Sequence, residues 1–125
     1  MLPRNFTEEQ VMFRTAYRKF LEQEIAPHIE DWREQGIVDR EAFLRAGKQG
    51  FLMIWPDEQY GGMGDRDFRF EQIIIEETSR VYAGDWANTL HSRLVGPYVD
   101  RFGNDEQKAR FLPKCVSGET ILAIA

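Results

Sequence analysis

Four groups of residues in this 125-residue chain have the chemical types from which sites are built. Glu76 and Glu77 are paired carboxylates of the kind that carries acid–base work. Neighbouring residues on a helix point about 100° apart, so these two cannot converge on one substrate atom. A solvated face, with one of the two capped or paired, is the expected arrangement. Gly61-Gly62-Met63-Gly64 has the composition of a phosphate-binding loop but lacks the lysine and the preceding strand such a loop requires, and it reads as a turn. Cys115 is the single cysteine, which excludes an internal disulfide. A nucleophilic thiol needs a histidine nearby, and the sequence pairs Cys115 with neither His28 nor His91. It reads as a small residue near a helix end. His91 reads as a partly buried packing residue whose functional interest is its place on a helix beside Leu90 and Leu94. Nucleotide-binding glycine motifs, a Walker loop, CxxC and HExxH are all absent from the sequence.

Composition narrows the classes further. Hydrophobic residues make up 42% of the chain and charged residues 30%, ordinary for a globular protein. The net charge of −5 argues against nucleic acid, or any phosphate-rich ligand, bound through a broad basic face. A phosphorylated cofactor would have most of its phosphates held by other parts of the protein. No apolar run approaches the ~20 residues of a membrane span. The start, Met1-Leu2-Pro3-Arg4-Asn5-Phe6, has no secretory apolar core.

The elements that position these groups are helical. Thr7-Glu8-Glu9-Gln10 is a capping box that opens the first helix. Phe13, Ala16, Tyr17, Phe20, Leu21, Ile25, Ile29 and Trp32 follow helical spacing on one face. Pro27 lies inside that pattern and predicts a kink rather than a stop, with Gly36 as the end. Asp39 is the expected cap of a second helix through Gln49, with Phe43 and Ala46 inward. Phe51 to Trp55 is an apolar extended segment halted by Pro56, followed by a loop to Asp67. A third helix runs from Asp67 or Phe68 to about Tyr82. Phe70, Ile73, Ile74, Glu77 and Val81 form its stripe, and Ile73-Ile74-Ile75 predicts burial on several sides. A fourth helix holds Ala87, Leu90, His91, Leu94, Val95, Tyr98 and Phe102. A second capping box, Asn104 to Gln107, opens a short helix ending at Phe111 or Leu112. The fold class is therefore all-α, a bundle of about five helices.

The end of the chain breaks this pattern. Thr120-Ile121-Leu122-Ala123-Ile124-Ala125 is short, apolar and rich in β-branched residues after a Gly-containing turn, as at the start of a strand. A lone strand leaves its backbone groups unpaired. The expectation is a helical domain over residues 1–119 and the beginning of a truncated β domain over 120–125.

The order of several segments resembles the acyl-CoA dehydrogenase family. Phe6 to Gln10 and Phe20 to His28 resemble its first helix. Ala46 to Leu52, followed by Pro56-Asp57-Glu58-Gln59-Tyr60-Gly61-Gly62-Met63-Gly64, resembles its P-E-x-Y-G-G-x-G stretch. Glu76-Glu77-Thr78-Ser79-Arg80 resembles its E-E-x-x-R helix. His91-Ser92, Gly103 to Lys108, Phe111 to Pro113 and Ser117 to Glu119 complete the series. Ala123-Ile124-Ala125 resembles the residues just before the family's flavin loop. The resemblance covers essentially the whole chain and is nearest to long-chain members.

This resemblance implies FAD as cofactor, a fatty acyl-CoA as substrate, electron-transferring flavoprotein as acceptor and a homotetramer as the intact assembly. The catalytic glutamate of the family lies in a C-terminal part, so no residue here is assigned as the base. Ile124 and Ala125 are the expected flavin contacts. Ala87, Leu90, His91 and Leu94 are the expected lining of an acyl tunnel. The implied location is cytoplasmic, or the mitochondrial matrix in a eukaryote. Two other readings stand beside it. One is an acyl-CoA oxidase or flavin monooxygenase of the same fold. The other is a stand-alone interaction module docking through Phe51 to Trp55.

Overall fold

A computed structural model describes residues 5–125; Met1 to Arg4, part of the start read above for a secretory core, lie outside the described residues. The fold is all-α. Helix α1 (Glu8–Phe20) opens on the expected capping box. The Gln10 amide donates to Thr7 Oγ1 at 3.2 Å, and the Thr7 amide donates to Gln10 Oε1 at 3.1 Å. The rod continues through a π turn (Leu21–Ile25) and a 3-10 turn (Ala26–His28) into α2 (Ile29–Gln35). Proline explains the interruption. Pro27 has no N–H to give, and the Ala26 amide reaches back five residues to the Leu21 carbonyl. Gly36 ends the rod in the left-handed conformation.

Tyr17, Phe20, Leu21, Ile25, Ile29 and Trp32 are buried along this rod as the spacing predicts. Ala16 is exposed instead, because the large rings at 13, 17 and 20 occupy the contact with the core. Helix α3 (Arg40–Lys48) buries Ala42, Phe43 and Ala46. Asp39 precedes it but does not cap it through its side chain, which accepts from Gln35 Nε2 at 3.0 Å.

The segment from Phe51 to Trp55 is buried throughout, each residue at most 4% exposed. Two of its carbonyls accept hydrogen bonds without a strand partner. Asn88 Nδ2 donates to the Phe51 carbonyl at 3.0 Å, and the Met63 amide donates to the Ile54 carbonyl at 2.9 Å. A segment so enclosed is part of the core, so the docking role considered for it is ruled out.

Helix α4 (Phe68–Arg80) is capped by Asp67, whose Oδ1 accepts from the Arg69 amide at 2.9 Å. It packs against α1 and buries Phe70, Ile73, Ile74 and Glu77. The expected burial of the whole isoleucine triplet is corrected: Ile75 is 40% exposed, because the core contacts only one side of α4. A 3-10 turn (Gly84–Trp86) leads to a π turn (Leu90–Val95) and then α5 (Gly96–Phe102).

Helix α6 (Asp105–Ser117) opens on the second capping box but runs past Leu112, against expectation, with Pro113 inside it. Pro113 removes one N–H, but Leu112 and Cys115 are fully buried and hold the helix in place. Helix α6 ends only at Gly118, which lies at φ +85° with its Cα against the Phe43 carbonyl; a Cβ there would fall 2.3 Å from that oxygen. Helices α3 and α6 cross this closely because Gly47 also lacks a side chain facing the Ser117 carbonyl.

Two apolar clusters result. The larger joins α1 through α4 around Phe51, Leu52, Ile54 and Trp86. The smaller gathers Met53, Trp55, Tyr60, Leu112 and Cys115. With α1 and α2 counted as one interrupted rod, the described residues form five helical rods. Residues 121–125 have no regular secondary structure, and no strand forms among the described residues. A strand needs a partner to complete its hydrogen bonds, and none is present among them.

Candidate functional site

The π turn before α5 organises the region that carries the candidate residues. The Gly96 amide donates to the His91 carbonyl five residues back. Pro97, next in line, has no N–H. The Ser92 carbonyl is thus freed from helix pairing, and Trp55 Nε1 donates to it at 2.8 Å in the buried interior. Ser92 Oγ in turn donates to Asn88 Oδ1. The fourth helix therefore holds the 51–55 segment through Asn88 and the Ser92 carbonyl.

His91 is 1% exposed and turned inward. Its Nδ1 accepts from the Leu122 amide at 2.9 Å. Because a backbone N–H is a donor only, the imidazole proton must sit on Nε2, which donates to the Cys115 carbonyl at 3.0 Å. Burial lowers the proton affinity of the ring, although its bond to the Cys115 carbonyl opposes this, so the neutral form is favoured. The Phe43 ring meets it edge-on, with centroids 6.0 Å apart. Burial pushes the Cys115 thiol up to about 11, which keeps it protonated and chemically quiet.

The four tunnel candidates do not share one concavity. Ala87 lies outside the helix, with φ +54°, in a cleft of about 290 Å³ beside Ile75, Thr78, Ser79 and Gly84. Leu94 is 49% exposed in a separate cleft of about 330 Å³ with Arg93, Pro97, Tyr98 and Phe102. Leu90 is partly buried. His91 is turned inward onto Cys115, Leu122 and Phe43. Ala87 precedes the helix as the left-handed residue that ends the 3-10 turn, and the π turn departs from the regular 3.6-residue stripe on which the four were grouped.

The glycine turn is occupied by its own hydrogen bonds. Gly61, Met63 and Gly64 donate to the carbonyls of Glu58, Ile54 and Pro56. Those amides are not available to a phosphate. Of the glutamate pair, Glu77 is buried and Glu76 half-buried. Arg18 grips Glu77 with two bonds of 2.7 and 2.8 Å, Arg80 adds one at 3.0 Å and Arg14 one at 3.2 Å. The Arg18 hydrogen bonds, followed by Arg80, hold the Glu77 carboxyl below its ordinary range against the opposing effect of burial. This is an ion-pair clasp between α1 and α4, not an acid–base pair.

Glu71 escaped notice in the sequence. It is 3% exposed, and its Oε2 has no hydrogen-bond partner among the described residues. Burial pushes its carboxyl up, and Arg93 opposes this. The Asn88–Ser92–Trp55 linkage was also missed, although Gly96-Pro97 marks a helix irregularity just as Ala26-Pro27 does.

Ile124 and Ala125 are exposed, Ile124 by 64%. They offer an apolar side chain and free backbone, which fit a contact along the edge of a planar ring. They offer no charged or hydroxyl group for a pyrophosphate.

Residues 7–119 match the family model described as acyl-CoA dehydrogenase, N-terminal domain. The mitochondrial long-chain specific acyl-CoA dehydrogenase of Sus scrofa is 38% identical over 122 residues, covering 98% of this chain and 28% of the relative. The crystal structure of an acyl-CoA dehydrogenase from Geobacillus kaustophilus superposes with a TM-score of 0.88 at 44% identity, covering 96% of this chain and 31% of that one. An acyl-CoA dehydrogenase from Bacillus anthracis, solved in complex with FAD, gives 0.83 at 30% identity, covering 97% of this chain and 21% of that one. The chain thus spans about a third or less of the proteins it is similar to.

Proposed function

Because the chain belongs to the acyl-CoA dehydrogenase family, as its N-terminal helical domain, we propose that the intact protein is a flavoenzyme that oxidises a fatty acyl-CoA thioester between its α and β carbons. The observation that carries this reading is the match of residues 7–119 to the family's N-terminal domain, supported by the similarity to a relative solved with FAD. When bound, FAD supplies the hydride-accepting ring, which side chains cannot provide.

The chain's own residues have a positioning role. Ile124 and Ala125 would contact the flavin when it is bound and exclude water there. Ala87, Leu90, His91 and Leu94 belong to the stretch that forms the wall meeting the acyl tail. Ala87 suits this best, because Gly84 and Ser79 beside it are small and leave room. Each methylene buried against such a wall contributes about 0.8 kcal/mol, which is enough to select chain length over several carbons. The acidic surface suits a domain that meets the lipid tail rather than the phosphates of CoA. Electron-transferring flavoprotein is the proposed acceptor, and a homotetramer the proposed assembly. The proposed location is the cytoplasm, or the mitochondrial matrix if the source is eukaryotic. Among the described residues no helix is long and apolar enough to cross a membrane.

The test is anaerobic titration of the intact, flavin-loaded protein with a long-chain acyl-CoA. Bleaching of the flavin absorbance in that titration, and no peroxide when the same mixture is repeated in air, is the expected result. Rapid peroxide formation without an added acceptor favours the oxidase instead, and an unchanged spectrum overturns the reading.

A further inference from the structure

We propose that His91 is a positioning residue for the 120–125 segment: its ring clasps Leu122 to the end of α6 and so sets where Ile124 and Ala125 project. The proposal rests on geometry. After Gly118 the chain leaves helical structure and has no ladder to fix it. The Glu119 carbonyl accepts from Arg40 of α3 at 2.9 Å, and within 120–125 the described hydrogen bonds hold the backbone at two points, the Thr120 amide on the Lys114 carbonyl at 3.0 Å and the Leu122 amide on His91 Nδ1 at 2.9 Å. Of the two within 120–125, the second reaches beyond α6 to another element. Ile121 packs against the larger core cluster and Leu122 against the smaller, so the clasp sits where the two meet. The next three residues are exposed.

Both ring nitrogens are needed, in opposite roles. Nδ1 must accept and Nε2 must donate, so a single tautomer serves both partners. A residue kept only for packing would not require a nitrogen aimed at an amide two residues before Ile124. The ring joins the π turn, α6 and the terminal segment in one buried contact. The functional half of the proposal rests on the flavoenzyme reading above: by fixing Leu122, His91 orients the two residues assigned to the flavin edge.

Two substitutions separate the two bonds. In His91→Asn the amide oxygen takes the place of Nδ1 and keeps an acceptor for Leu122, while the bond to Cys115 is lost. In His91→Gln the amide nitrogen takes the place of Nε2 and keeps a donor for Cys115, while Leu122 loses its acceptor. Hydrogen exchange on the 125-residue chain is expected to show a protected Leu122 amide in the unmodified protein and in His91→Asn. Exchange about tenfold faster is expected in His91→Gln, the equivalent of one buried hydrogen bond. Nitrogen NMR of the unmodified chain, which needs no variant to fold, is expected to place the ring proton on Nε2. In the intact protein, FAD retention is expected to fall about tenfold in His91→Gln and to recover in His91→Asn. A proton on Nδ1, a Leu122 amide as fast as that of Ala123, or equal loss of protection in both variants overturns the clasp. Unchanged FAD retention after Leu122 is released overturns its positioning role. An intact protein that holds no FAD at all defeats the flavoenzyme reading, while the amide measurements still decide the clasp.

Discussion

Trp86→Ala lowers the stability of this domain by about 3–5 kcal/mol, the largest single effect expected in it. Trp86 is fully buried and has one of the largest enclosed side chains in the fold. Its ring lies 4.5 Å from that of Phe43 on α3 and 6.4 Å from that of Phe20 at the end of α1, between centroids. Removing it takes away apolar contact and also leaves a cavity that helices fixed elsewhere cannot close. The α3–α6 crossing at Gly47 and Gly118 is already at backbone contact, so α3 has little freedom to move inward. A loss of this size is a large share of the 5–15 kcal/mol that typically holds a domain folded. Chemical denaturation measures it directly. A loss below about 1 kcal/mol would show that Trp86 does not bridge the core as described.

Glu77→Ala is the second. Three guanidinium groups converge on one buried carboxylate, and removing it leaves like charges facing one another across the α1–α4 contact. Breaking a buried ion pair typically costs 3–5 kcal/mol. Here Arg18 and Arg80 are more than a third exposed and regain water, so the low end, about 3 kcal/mol, is expected. The pH dependence follows from the direction of the shift. The folded-state carboxyl lies below its unfolded value of about 4.3, so this stabilisation is fully present above that pH. It disappears as the pH falls through the lower, folded-state value. Denaturation midpoints measured from neutral to acid pH are expected to fall less steeply in Glu77→Ala than in the unmodified chain. Parallel curves would show that Glu77 is not the clasp.

Features set by neighbours in sequence were legible beforehand. Both capping boxes needed only residues three apart, and both form. Pro27 was expected to bend a helix without ending it because the apolar period resumes at Ile29 and Trp32, and the rod does continue. Features that depend on distant partners were harder to read. An end at Phe111 or Leu112 was expected, but α6 runs on through Pro113, the burial of Leu112 and Cys115 outweighing one missing hydrogen bond. Ile75 was grouped with a buried triplet, although only the tertiary contact decides which side of α4 is covered. The acyl-wall candidates were grouped on a regular helix, but Ala87 is the left-handed residue that ends the preceding 3-10 turn, and Leu90, His91 and Leu94 lie in a π turn with His91 buried. Glu77 was legible as a paired carboxylate, but its three partners, two of them on α1, were not.

The most direct measurement compares flavin binding and acyl-CoA turnover by these 125 residues alone with the same measurements on the intact protein. The chain alone is expected to hold no FAD after gel filtration and to turn over no substrate, while the intact protein is expected to do both, because the role proposed for this domain is a wall and an edge contact and not the reacting groups. A yellow, active preparation of the chain alone would contradict that division of labour.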